Sequence, residues 1–161
     1  FFPIPDPLIL DDSSRVMSLR DGTKKMSKSD PSAMSRIEFK DDNDLIIKKI
    51  SKAKTDPLPL PSNINDLEER PEVNNLLSIF SSLSGSKLID VLNDYSGKQF
   101  SQFKKDLSDL LIANIEPIRE ELTRLDNDQV FLKEILEKGT NEAMKRSNIS
   151  MKKIRDIVGL G

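Results

Sequence analysis

Apolar residues recur at three- and four-residue steps through most of this chain, and that spacing places them on one face of a helix. The longest run extends from Phe100 to Leu125, over about seven turns. Pro117 lies inside this run and should bend or break the helix, because proline lacks a backbone donor and crowds the preceding turn. Six helices are predicted, with these limits: Asp42 or Asn43 to Ala53, Pro71 to Gly85, Ser86 to Gly97, Phe100 to Leu125, Asp126 or Asn127 to Gly139, and Thr140 to Val158.

The predicted helices have the lengths and short connections of an antiparallel bundle packed around one apolar core. The fold class is therefore predicted to be mainly α. The segment from Pro57 to Arg70 is rich in proline and acidic residues, and it reads as a linker. It divides the chain into residues 1–60 and residues 61–161.

The residues before Asp42 lack helical spacing. Alternate prolines keep Phe1 to Leu10 extended. The short apolar run from Val16 to Leu19 predicts a brief strand, and Asp21-Gly22 after it is typical of a turn. Alternating apolar and charged residues between Pro31 and Asp42 predict a second short extended piece.

The helix that starts near Asp42 carries lysines away from its apolar positions. A solvated basic face is predicted for them in preference to contact with phosphate. These residues are Lys48, Lys49, Lys52 and Lys54.

Composition narrows the possible chemistry. The chain has 161 residues, enough for one ordinary domain and its core. It contains no cysteine and no histidine, which excludes disulfide scaffolds, Cys/His zinc sites, thiol nucleophiles and imidazole bases from this segment. No apolar run approaches the roughly 20 residues that span a bilayer, and the proline-broken start is not a signal peptide. A cytoplasmic protein without a membrane partner is the expectation.

Charge is unevenly distributed. The formal net charge of −2 argues against a protein that holds nucleic acid by its bulk charge. The segment from Arg15 to Arg36, however, contains six basic and two acidic residues, which gives it a local charge of +4. From Lys138 to Arg155, six basic residues face one acidic residue, a local +5. These two segments are the candidate contacts for a polyanion.

The segment from Lys24 to Pro31 holds the most concentrated candidate chemistry. Three lysines stand here among serine hydroxyls. Lysine is a compact charge suited to phosphate, and hydroxyls and backbone amides supply oriented hydrogen bonds to oxyanions. Composition alone favours an ordinary solvated turn over a phosphate-binding loop. Only the order of the residues can distinguish the two.

That order is KMSKS at Lys25 to Ser29, the signature of class I aminoacyl-tRNA synthetases. The surrounding segment RVMSLRDGTKKMSKSDP resembles the corresponding part of bacterial-type tryptophanyl-tRNA synthetases. The segment DLIIKKISKAKTD and the residues from Asn75 to Phe80 resemble the same family. The similarity extends through most of the chain to Gly159.

The resemblance implies a particular division of the chain. Residues 1–60 would be the C-terminal remnant of an α/β nucleotide-binding catalytic domain that is otherwise absent, with the KMSKS loop at residues 24–31. Residues 61–161 would be an α-helical domain that binds the tRNA anticodon. The chain would then be the C-terminal half of a longer enzyme and inactive alone.

The resemblance also implies the chemistry: tryptophan reacts with ATP, pyrophosphate leaves, and the aminoacyl group passes to tRNA(Trp). Lys25 and Lys28 would be catalytic, since ammonium groups held against the leaving pyrophosphate stabilise the transition state. Val16 and Met17 would border the adenine through backbone groups and apolar packing. The implied ATP-binding residues are Val16, Met17, Lys25, Met26, Ser27, Lys28 and Ser29, and the tRNA-binding candidates are Arg119, Arg124, Lys145, Arg146 and Lys152.

Further implications concern partners. ATP would be a substrate, with Mg²⁺ bound through its phosphates and without a metal ligand from this chain. Tryptophan would be bound by the absent half, and the full-length enzyme would be a homodimer. Two alternatives stay open: a fragment of the related tyrosyl-tRNA synthetase, which shares the class and the loop, and a helical binding module without catalysis.

Overall fold

A computed structural model of the chain describes residues 1–8 and 15–160. Two short strands, β1 (Met17–Ser18) and β2 (Asp21–Lys25), are followed by five α-helices among the described residues. The helices are α1 (Asn43–Ser51), α2 (Pro71–Ser84), α3 (Leu88–Tyr95), α4 (Phe100–Asp126) and α5 (Gln129–Val158). Short 3₁₀ helices lie at Ala33–Ser35 and Ile64–Leu67. The mainly α fold is confirmed, and antiparallel bundle packing stays a prediction.

The chain forms two compact units, Phe1–Ile118 and Arg119–Gly161. The boundary lies one residue after Pro117, which is inside α4 and does not interrupt it. Of the two predicted effects of this proline, the break is wrong and the bend stays a prediction. The division into residues 1–60 and 61–161 concerns functional parts and stays a prediction.

The first unit has an apolar core built from the hairpin and from α1, α2, α3 and α4. Leu60 and Leu67, in the segment predicted as a linker, are also buried in it. Backbone bonds hold this segment in place, with Gly97 N donating to Leu60 O at 2.9 Å. The segment is thus part of the first unit. Core residues from the main elements include Leu19, Ile46, Ile50, Val73, Leu76, Leu77, Val91, Leu92, Phe103 and Leu107.

The second unit contains the last turns of α4 and the whole of α5, which has no buried residue. Asp128 caps α5, because its Oδ1 accepts a hydrogen bond from Phe131 N at 3.1 Å. The helix runs through Gly139, so the predicted division into two helices there is wrong. Glycine keeps both backbone hydrogen-bonding groups, and in a helix interior it costs only about 1 kcal/mol relative to alanine.

Three other local predictions are corrected. The hairpin turn is at Leu19 and Arg20, and Asp21 and Gly22 already belong to β2. Backbone bonds specify this turn: Leu19 N donates to Ser35 O at 2.9 Å, and Lys54 N donates to Leu19 O at 2.8 Å.

The extended piece predicted between Pro31 and Asp42 is replaced by a 3₁₀ helix and a turn. Asp41 Oδ2 accepts a hydrogen bond from Glu38 N at 2.8 Å, a local bond that competes with strand formation. The cap of α3 is Lys87 rather than Ser86, whose carbonyl accepts a hydrogen bond from Ser81 Oγ at 2.7 Å.

Lys49 in α1 is the clearest departure from the predicted solvated basic face. The cap of α1 is as predicted, with Asp42 Oδ1 accepting from Leu45 N at 2.7 Å. The Lys49 side chain, however, is only 1% exposed, and its Nζ donates to Asp41 Oδ2 at 2.5 Å. The helical period itself places Lys49 on the buried stripe, three residues after Ile46 and next to Ile50, so its assignment to the solvated face is wrong. Its partner, Asp41, lies outside the helix.

Replacing Lys49 by methionine should destabilise the chain by about 3–5 kcal/mol, because the change leaves a buried carboxylate without its cation. Lys48→Met, at the exposed neighbouring position, is the matched control and should change stability by less than about 0.5 kcal/mol. Urea unfolding followed by circular dichroism measures both. Equal effects of the two substitutions would contradict the importance assigned to the buried pair.

Candidate functional site

The hairpin brings the two parts of the predicted ATP site together. β1 and β2 pair antiparallel, and Met17 faces Lys25 across the ladder. Met26 N donates to Val16 O at 3.0 Å and continues the pairing by one residue. The predicted adenine-bordering residues thus lie directly beside the start of the KMSKS sequence.

Asn75 of α2 holds the outer edge of β1. Its Oδ1 accepts from Met17 N at 2.9 Å, and its Nδ2 donates to Met17 O at 2.9 Å. The adenine contact of Met17 stays a prediction, but the Met17 N–H is already used. The polar Asn75 lies among the apolar positions Val73, Leu76 and Leu77, and that break in the pattern was the signal that sequence reasoning missed.

β2 lies directly against the start of α2. A Cβ added to Gly22 would lie 2.5 Å from both Pro71 C and Glu72 N. Beside this contact, Lys54 Nζ lies 2.7 Å from Glu72 Oε1, and the hydrogen bond from Lys54 lowers the pKa of Glu72. The hairpin is therefore fixed to α2 at both of its strands.

The lysine-bearing turn after β2 is organised by its own serines. Ser27 Oγ and Ser29 Oγ lie 3.1 Å apart, and Asp30 N donates to Ser27 O at 3.3 Å. These bonds present Lys28 to solvent. Contact of either serine with phosphate stays a prediction, and it would exchange the bond between the two hydroxyls for bonds to phosphate.

The turn is attached at both of its ends. Met26 is partly buried and packs against the apolar core, as expected of an anchor rather than of a ligand contact. On the other side, Arg36 Nη1 donates to Asp30 O at 3.0 Å and to Ser32 O at 3.3 Å. Residues between these two points form the part of the loop that carries Lys28.

The three lysines of this segment differ in their electrostatic surroundings. Lys24 Nζ lies 3.3 Å from Asp21 Oδ2. Hydrogen bonds from the Thr23 hydroxyl and amide, together with Lys24, lower the pKa of Asp21 to about 2, so this carboxylate stays ionised at neutral pH. Within the described ranges, Lys25 and Lys28 are exposed and have no ion-pair partner. Of these three lysines, they are the two that remain available to an anionic ligand.

The predicted tRNA-binding residues are in the second unit. Lys145 and Lys152, seven residues apart on α5, share nearly one face of the helix, and Arg146 lies about 100° further round. Two of the cations already have acidic neighbours. Lys145 Nζ lies 2.9 Å from Glu142 Oε1, and Arg124 Nη2 lies 2.7 Å from Glu121 Oε1. The fifth candidate, Arg119, begins this unit.

Two classes of feature are absent from the part of the chain that the structure describes. Residues 1–8 and 15–160 contain no group of three or more acidic side chains placed to hold a metal ion. Over the same residues, no helix combines the length and apolar character needed to cross a membrane.

Comparison with known proteins assigns the family. The pattern of the family described as tRNA synthetases class I (W and Y) matches residues 1–115. The chain belongs to this family. Tryptophan–tRNA ligase from Mesorhizobium japonicum is 48% identical to this class I synthetase chain over 160 residues, which are 99% of the chain and 45% of the relative.

Other relatives of this synthetase chain agree. Tryptophan–tRNA ligase from Brucella melitensis is 48% identical over 159 residues, covering 99% of the chain and 45% of the relative. The crystal structure of tryptophanyl-tRNA synthetase from Mycoplasma pneumoniae matches with a TM-score of 0.73 and 30% identity, covering 94% of the chain and 47% of that structure. The synthetase chain thus spans about half the length of the curated relatives it matches.

Gly22→Ala tests the attachment of the hairpin to α2. The added methyl group would overlap backbone atoms that cannot move freely, so a loss of about 1–3 kcal/mol in stability is expected. Gly139→Ala is the matched control, because its Cβ would meet nothing within 4 Å and alanine is the better helix former. Urea unfolding that showed no difference between the two variants would contradict the close approach.

Proposed function

We propose that the chain is the part of a tryptophan–tRNA ligase that contacts ATP with its hairpin and tRNA with its helices. One observation carries the proposal: β1 and β2 set Val16 and Met17 beside a segment whose two KMSKS lysines are exposed and without carboxylate partners in the described chain. Membership of the family and relatives named tryptophan–tRNA ligases support it.

The proposed chemistry of this chain is electrostatic. When a carboxylate attacks the α-phosphorus of ATP, negative charge grows on the bridging oxygen and on the pyrophosphate that leaves. Lys25 and Lys28 would bind those oxygens more strongly in the transition state than in the ground state, and that difference accelerates the reaction. Met26 would anchor the turn, and Ser27 and Ser29 would approach the phosphates.

Magnesium would accompany ATP rather than bind to a protein cage. The carboxylates nearest to the lysines in sequence are Asp21 and Asp30, and they already accept hydrogen bonds from Thr23 N at 3.1 Å and Ser32 N at 2.8 Å respectively. The ion would offset phosphate charge, and its ligands would come mainly from the phosphates.

The rest of the activity is assigned to the part of the ligase outside this chain. The matched relatives are about twice as long, which leaves room for an amino-acid pocket elsewhere. We therefore expect the chain alone to be inactive. The names of the relatives favour tryptophan over tyrosine as the substrate, and the family match disfavours a binding module without catalysis. A homodimeric full-length enzyme and a cytoplasmic location stay predictions.

Lys28→Ala in the longer protein should slow adenylate formation by about 2–4 kcal/mol of barrier, the scale of one transition-state donor, and leave tryptophan binding intact. Exchange of labelled pyrophosphate into ATP measures the rate. Lys105→Ala, which removes an exposed lysine from α4, is the control and should have no effect. An unchanged exchange rate in the Lys28 variant would refute the catalytic assignment.

For tRNA, the proposal rests on the basic residues of the second unit. Phosphate contacts release counterions, so binding through them weakens steeply as salt rises. Arg119 and Arg124 would supplement three cations of α5, Lys145, Arg146 and Lys152. Lys145 and Arg124 are already paired with Glu142 and Glu121. A bound phosphate would therefore have to displace these two carboxylates.

We expect a change in salt dependence when Lys145, Arg146 and Lys152 are replaced together by alanine. The slope of log affinity for tRNA against log salt concentration should become shallower by up to about 3, because each lost phosphate contact removes about 0.9 from the slope. Lys48, Lys87 and Lys105, exposed in the first unit, provide a triple variant of equal charge that should keep the original slope. Binding titrations at several salt concentrations measure both. Equal slopes for the two variants would show that only net charge matters.

A further inference from the structure

The side-chain amide of Asn75 bonds to β1 as a neighbouring strand would. Met17 N donates to its Oδ1 and Met17 O accepts from its Nδ2, each at 2.9 Å, across 58 residues of sequence. The residue is 6% exposed, so its amide is largely shielded from water. A primary amide is the one ordinary side-chain group that supplies a donor and an acceptor side by side at this spacing.

β1 needs such a partner. It contains only two residues, and its pairing with β2 is irregular between Met17 and Ser18. An isolated two-stranded hairpin is marginal in water, so its ladder bonds alone do not fix its position. Asn75 adds two bonds on the side of Met17 opposite to Lys25.

The position of β1 determines the positions of the predicted ATP-binding groups, because they are joined by backbone pairing. Met17 faces Lys25 in the ladder, and Val16 O accepts the hydrogen bond from Met26 N. A shift of β1 by a fraction of an ångström therefore moves the adenine border and the start of the KMSKS turn together. Asn75 itself contacts the α2-facing edge of β1, through Met17 N and Met17 O.

We infer that Asn75 is a positioning residue for ATP: it acts through Met17 to hold the adenine-bordering edge in register with the lysines. The inference rests on the proposed function. It separates Asn75 from residues that stabilise the fold in general, because removing its two bonds should affect ATP and spare tryptophan.

Two variants of the full-length protein test this role. Asn75→Leu keeps the branched heavy-atom skeleton and removes both hydrogen bonds, while Asn75→Asp keeps the acceptor for Met17 N and removes the donor to Met17 O. In pyrophosphate exchange, each should raise the KM for ATP by about tenfold to a hundredfold, the cost of a small misplacement in a site, and leave the KM for tryptophan within about twofold.

Asn74 provides the matched control. It is the preceding residue of α2, and its Oδ1 accepts a long hydrogen bond of 3.3 Å from Ser78 Oγ, within the same helix. Asn74→Asp introduces the same charge and Asn74→Leu the same apolar group, one residue away from the hairpin contact. Both should keep the KM for ATP unchanged.

The outcomes separate the two proposals. If Lys28→Ala slows exchange while the Asn75 variants behave like the Asn74 variants, the proposed function stands and the positioning role is refuted. Thermal melting accompanies the kinetics, and a rise in both KM values with a lower Tm would also overturn the role, because it marks general damage. A rise confined to the KM for ATP supports it.

Discussion

Contact between the hairpin backbone and the first turn of α2 is the constraint on which the site depends. A ribbon this short has too few ladder bonds to keep its own shape, so its geometry has to come from what it touches. Gly22 allows the two backbones to meet without a side chain between them, and Leu19 places the turn in the core. Lys25 at the end of β2 and Lys28 after it are therefore placed by a helix that begins about fifty residues later in the chain.

Sequence periodicity predicted the elements that bury one apolar face. α1 and α2 begin where their caps indicated, because Asp42 and Pro71 act within one turn of the chain. The turn at Leu19, by contrast, is determined by a bond to Ser35 O and a bond from Lys54 N, which no local pattern contains. Likewise the KMSKS order revealed the candidate lysines, whereas Asn75 stood out only as a polar residue among apolar positions, and its partner Met17 could not be read from the sequence.

Lysine has two different uses in the first unit. Lys49 is buried and paired with the carboxylate of Asp41, so its charge is not available to a ligand. Lys25 and Lys28 have no such partner in the described chain, and their charge is directed outwards. Net charge does not distinguish these cases. In a chain with a net charge of −2, the local arrangement of acceptors decides which cations remain available for phosphate.

The attachment of Met26 to the core limits the reach of Lys28. Two residues of fully extended backbone span at most about 7 Å, so the Lys28 Cα stays within that radius of a fixed point however the turn rearranges. The return of the chain at Arg36 restricts the direction of the swing as well. Any rearrangement of the turn therefore moves the Lys28 Cα only a short distance. The Lys28 ammonium group could not contact a nucleotide that lies further from Met26 than two extended residues plus the length of one lysine side chain.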